Sequence, residues 1–98
     1  MTLEEIKRLI HAGDYDYSEK VRAFIEDGWF GEEDLEHCIL SATEIFKTEK
    51  DELKVSIDGK KYVILGKDTF GYPFYTCGKI ISGEGRRLYF FITAHEAD

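Results

Sequence analysis

Residues 61–96 read KYVILGKDTFGYPFYTCGKIISGEGRRLYFFITAHE, and the fold turns on this stretch. Three runs rich in β-branched and aromatic side chains, Lys61–Lys67, Pro73–Ser82 and Arg87–His95, are separated by turn-forming residues. Asp68-Thr69-Phe70-Gly71 joins the first two and Gly83-Glu84-Gly85 the last two. Pro73 stands at the start of its run, where a strand tolerates a missing amide donor. The pattern predicts an antiparallel meander.

Turn length sets the register. A three-residue loop closed by Ser82 and Arg86 places Ile80 opposite Leu88, Gly78 opposite Phe90 and Thr76 opposite Ile92. Closing the other turn places Leu65 opposite Phe74 and Val63 opposite Thr76. Directly opposed residues share a face. One face then carries Val63, Leu65, Phe74, Thr76, Gly78, Ile80, Leu88, Phe90, Ile92 and Ala94, nearly all hydrocarbon, and is the expected core. The other carries Tyr62, Ile64, Tyr75, Cys77, Lys79, Ile81, Tyr89, Phe91, Thr93 and His95. Rings mixed with hydroxyls, an amine and an imidazole suit a binding surface or a subunit contact, so Tyr62, Tyr75, Tyr89, Phe91 and Thr93 are the candidate binding residues. The competing expectation is that helices simply cover this second face, because a slip of one residue exchanges the two.

Upstream the periodicity becomes helical. Thr2 with Glu5 makes a capping box before Leu3, Ile6, Leu9 and Ile10, and Gly13 is the stop signal. Asp14-Tyr15-Asp16-Tyr17 reads as a connector, and Ser18 caps a second helix over 19–27 with Val21, Phe24 and Ile25 inward. Trp29 and Phe30 follow Gly28 as an apolar elbow, with Trp29 expected to plug the core between helices. A third helix over 32–43 has Leu35, Cys38, Ile39 and Ala42 on one stripe, and Glu32, Glu33 and Asp34 in the first turn favour its dipole. Residues 44–49 alternate as an edge strand; residues 50–60 read either as a hairpin ending in Asp58-Gly59 or as a charged insertion. The expected architecture is α+β: about three helices on one face of a mostly antiparallel sheet of three to four strands. It forms one domain over 1–98, with a helical half to residue 43 and the meander over 44–96.

The net charge of −7 is uneven. Residues 1–50 hold 13 acidic and 6 basic side chains, whereas residues 51–98 hold 7 of each. An acidic domain is repelled by a phosphate backbone, so a protein partner or self-association is expected ahead of RNA, and no DNA. No apolar run reaches the ~18 residues that cross a bilayer, and the amphipathic start MTLEEIKRLI is no secretory signal, so no membrane partner and a cytoplasmic location are expected. Cys38 and Cys77 lack CxxC or zinc spacing and are expected as buried free thiols. Neither a metal nor a cofactor is implied, and no Ser-His-Asp, P-loop or HExxH pattern is present.

The order of elements resembles a family of small bacterial domains of unknown function, grouped with RelE/ParE-like and BrnT-like toxins. Gly28-Trp29 stands at its elbow glycine, and Gly31-Glu32-Glu33-Asp34 at its acidic helix start. Tyr62-Val63-Ile64-Leu65-Gly66-Lys67-Asp68 matches its strand and turn, and Phe91-Ile92-Thr93-Ala94-His95-Glu96 its closing strand. The resemblance implies a RelE-like layout. Glu19 falls where the pattern has a histidine, and Ala23 and Asp27 where it has arginines. Two functions follow as expectations. The first is a non-catalytic binding or regulatory module using the aromatic-polar face. The alternative is a toxin-type ribonuclease, with His95 as acid or base and Lys79 or Arg87 as the cation beside the phosphorane.

Overall fold

A computed structural model describes residues 1–97. The domain expected over 1–98 runs one residue further, Asp98 lying outside the described residues. The elements are α1 (Leu3–His11), β1 (Tyr15–Tyr17), α2 (Glu19–Glu26), α3 (Glu32–Ser41), β2 (Lys47–Lys50), β3 (Lys60–Lys67), β4 (Pro73–Gly83) and β5 (Arg86–Glu96). The architecture is α+β: three helices, then a mixed, mostly antiparallel sheet of five strands in the order β1-β5-β4-β3-β2.

The helices start where their capping chemistry dictates. Thr2 accepts the Glu5 amide while the Glu5 carboxylate returns to the Thr2 amide, and Ser18 accepts the amide of Val21. α3 begins after Gly31, whose amide donates to the Asp34 carboxylate at 2.8 Å. Ile6 and Ile10, Val21, and Leu35, Cys38 and Ile39 are sealed from solvent and form the helix side of the core. Each such aliphatic side chain contributes about 1.5–3 kcal/mol over its exposed state. α3 sits directly on β3 at Gly66, where any side chain would run into the Cys38 carbonyl. α3 ends at Ser41 and the edge strand covers Lys47–Lys50, so both are shifted by a few residues from expectation.

Both hairpins pair one residue out of the expected register. β5 follows β4 through Glu84-Gly85 alone, both at positive φ, with Gly83 opposite Arg86; this is the backbone a two-residue hairpin loop demands. Lys67 pairs with Pro73, which sets Leu65 opposite Tyr75 and Ile64 opposite Thr76. β4 keeps its expected face, but β3 and the first half of β5 are inverted. Tyr62, Ile64, Tyr89 and Phe91 therefore join Phe74, Thr76, Ile80 and Ala94 beneath the helices. A bulge opposite Cys77/Gly78 absorbs Ile92 and returns Ala94 to the covered face. Leu88, Phe90 and Ile92 are half-buried, not core-forming as expected.

Two further departures matter. Tyr15–Tyr17, read as a connector, is a short edge strand parallel to β5. The Tyr15 hydroxyl donates to Glu36 at 2.6 Å and so ties that edge to α3. Residues 51–59 are the long loop of the β2–β3 hairpin, in which Lys50 pairs with Lys60; they carry no strand of their own and are not a free charged insertion. They gather around the Asp51 carboxylate, which accepts the amides of Val55 and Ser56 at 3.0 and 2.9 Å and faces the Lys79 ammonium at 3.6 Å. Among the described residues, no helix is long and apolar enough to cross a membrane.

Candidate functional site

One end of the sheet collects three connections: the α2–α3 elbow, the β3–β4 turn and the last residues of β5. Asp34 joins the first two. One carboxylate oxygen caps Gly31, and the other accepts both the amide and the hydroxyl of Thr69, at 2.9 and 2.8 Å. Burial pushes its pKa up, but the hydrogen bonds from Gly31 and Thr69 outweigh that and hold the carboxyl below its ordinary value. His37 reaches the Lys67 carbonyl at 2.8 Å, and the Lys67 amide donates to Ser41 Oγ at 2.9 Å. Within the turn, Asp68 accepts the amides of Phe70 and Tyr72, each at 2.9 Å. The end of the molecule is thus built on fixed backbone.

This framework presents aromatic rings to solvent. Trp29 is 70% exposed, Phe70 83% and Tyr72 64%. Trp29 therefore does not plug the core: the positive φ of Gly28 ends α2 and turns the chain outward. Phe30 takes the inner position instead, edge-on to Phe74 with ring centres 5.3 Å apart and 6.0 Å from Phe24. Between elbow and sheet lies a cavity of about 400 Å³ lined by Phe24, Trp29, Phe30, Ala94, His95 and Glu96. Its size falls within the range of small-ligand and side-chain pockets. Ala94 is the small residue of β5's covered face, following the rings of Tyr89 and Phe91.

The residues singled out from the sequence divide between two faces. Tyr62, Tyr89 and Phe91 are sealed beneath the helices and offer a partner nothing, a correction that follows from the hairpin slip. The Tyr62 hydroxyl donates to the Asp58 carboxylate, and burial together with that bond raises its pKa. The Tyr89 ring lies over Gly78, and its hydroxyl has no hydrogen-bond partner among the described residues. Tyr75 and Thr93 stay on the face without helices, opposite His95 and Cys77 respectively. Tyr75 and His95 stack with ring centres 4.5 Å apart at 14°. His95 also lines the cavity, so this stacked pair borders the pocket.

The three candidate catalytic residues do not converge. Lys79 is buried against Asp51 and stands four residues along β4 from Tyr75, hence about 13 Å from the His95 pair. Arg87 opposes Ser82, on the other face, eight residues along β5 from His95 and about 26 Å away. Among the described residues, no group of three or more His, Cys, Asp or Glu side chains is arranged to hold a metal ion. Cys38 and Cys77 are both buried and unpaired.

Phe24, Trp29, Phe30 and Glu96 were not singled out as a site. The available signal was two adjacent large rings after a helix-stopping glycine, where no helical or strand period calls for both to be buried. No family model, curated protein or solved structure matches this chain.

Proposed function

We propose that this protein is a non-catalytic binding module. Its working surface is the aromatic pocket of the elbow end, continued onto the open sheet face by Tyr75, His95 and Thr93. The observation that carries this reading is the pocket itself: three rings around about 400 Å³, with Trp29 held 70% exposed by a hydrogen-bonded elbow. Exposing an indole forfeits about 1.5–3 kcal/mol of burial, which a partner that covers it recovers. Rigid rings also bury area with little loss of side-chain entropy, which is why they dominate interface hot spots. The pocket favours a protein segment as partner.

The order of helices and sheet, the acidic start of α3 and the His95-Glu96 ending support the RelE-like layout as the structural expectation. They do not bring the ribonuclease reading with them. The dispersal of His95, Lys79 and Arg87, and the net charge of −7, both weigh against it.

The test is a binding screen on isotope-labelled protein, with amide and indole shifts followed by NMR. Ligands should perturb residues 24–30 and 94–96 together, and Trp29→Ala should abolish those shifts while leaving the rest of the spectrum intact. Ligand-induced shifts confined to the surroundings of Lys79 or Arg87 would defeat the proposal.

A further inference from the structure

The charges around the pocket are as one-sided as its walls are aromatic. From Ala23 to Phe46 the chain holds seven carboxylates and no lysine or arginine. Trp29 and Phe30 sit in the middle of that run. Glu26 and Asp27, both exposed, close α2 immediately before them. The Glu33 side chain folds back over Gly31, and Glu96 lines the cavity from the sheet side. Among the described residues, none of these four carboxylates forms an ion pair, whereas Asp14, Glu19, Glu49, Asp51 and Asp58 do. Lys67 is a cation at the same end, but it lies on β3, two strands from β5 and about 10 Å away across the sheet. The chain already uses the matching chemistry internally: the Arg22 guanidinium lies 5.1 Å from the centre of the Tyr17 ring.

We infer that the occupant of the pocket is a basic segment of a partner protein. It lays an arginine or lysine over Trp29 and its carboxylate rim, and it buries the aliphatic stem or an adjacent apolar side chain against Phe24 and Phe30. This deepens the proposed function and rests on it. A cation over an indole face is attracted by the ring quadrupole, and unpaired carboxylates nearby add to that attraction and steer the approach. An acidic segment or a nucleic acid meets the same rim as repulsion. A neutral apolar segment satisfies the rings but leaves the carboxylates without a partner.

Trp29 is the chain's single tryptophan, so its fluorescence reports on this site alone. The experiment titrates the full chain with three blocked seven-residue peptides that share one central leucine. The leucine is flanked by two arginines, two glutamines or two glutamates. The arginine peptide is expected to shift Trp29 emission and to bind about tenfold more tightly than the glutamine peptide. Its affinity should fall severalfold toward 1 M salt, where the Debye length is only about 3 Å. Glu96→Gln, an exposed substitution, should weaken the arginine peptide about threefold and the glutamine peptide by less, so that the ratio between the two narrows. Equal affinity for the arginine and glutamine peptides, or tighter binding of the glutamate peptide, would overturn the inference and leave the pocket standing as a binding site. Silence of Trp29 toward all three would remove the pocket reading and this inference with it.

Discussion

Replacing Phe91 and Phe90 by alanine, one at a time, interrogates the sheet register directly. The two rings are neighbours in sequence and point to opposite faces. Phe91 is fully buried beneath the helices, edge-on to Tyr15 with ring centres 5.8 Å apart and to Tyr89 with ring centres 5.1 Å apart. Its removal leaves a cavity that those rings cannot fill, so Phe91→Ala should cost about 3–5 kcal/mol. A domain of this length has only about 5–15 kcal/mol in total, and its melting temperature should fall by about 15–30 °C. Phe90 lies half-buried on the helix-free face opposite Lys79, and Phe90→Ala should cost about 1 kcal/mol. Urea unfolding followed by far-ultraviolet circular dichroism measures both, with equal slopes showing that the unfolded states are comparable. A larger loss for Phe90 than for Phe91 would mean that the faces are reversed and that the rings sealed here are the exposed ones.

Three other outcomes are expected. Gly66→Ala should destabilise by about 1–3 kcal/mol, since its methyl group meets the Cys38 backbone and α3 must lift; a neutral effect in the same urea assay would refute the close approach. Asp51 is held at about 2 by the Ser56 amide first, against the cost of burial, with Lys79 and the Val55 amide adding to it. A folded value below the unfolded value of about 3.9 gives stability that is present above pH 4 and lost as pH falls toward 2, so the protection of amides 53–57 relative to their intrinsic exchange rates should fall over that window in the wild type and show no such step in Asp51→Asn. Burial pushes the Cys38 thiol up to about 11 and also raises that of Cys77, so neither should react with a thiol reagent at pH 8 until urea is added; prompt reaction of either in the native state would contradict the packing.

Local chemistry was legible in the chain and parity was not. Thr2, Ser18 and Gly31 announce helix starts because a cap is satisfied within three residues, and each helix begins where its cap says. β3, β4 and β5 were equally plain. Their faces depended on whether Gly83-Glu84-Gly85 supplies two loop residues or three. With period-2 side chains, that single residue decides whether Leu88 or Tyr89 is buried. Both alternatives offer an apolar set, because β3 and β5 carry large hydrophobic side chains at odd and even positions alike, so composition could not arbitrate. The bulge at Ile92 then restored the expected faces of Thr93, Ala94 and His95. β1 escaped notice because three residues cannot establish a period, and its pairing is with a strand more than seventy residues away. The pocket was visible only as Trp29-Phe30 after a glycine; which of the two rings turns inward depends on the positive φ of Gly28 and on the packing of Phe30 against Phe74, more than forty residues away.

Paramagnetic broadening of the aromatic side-chain resonances by a soluble gadolinium chelate reads the exposure of both sheet faces and of the elbow in one spectrum. With the faces as described, Trp29, Phe70 and Tyr72 broaden strongly, while Tyr62, Phe74, Tyr89 and Phe91 stay sharp. Tyr89 broadened as much as Tyr72, with Trp29 protected, would contradict both the sheet register and the site built on it.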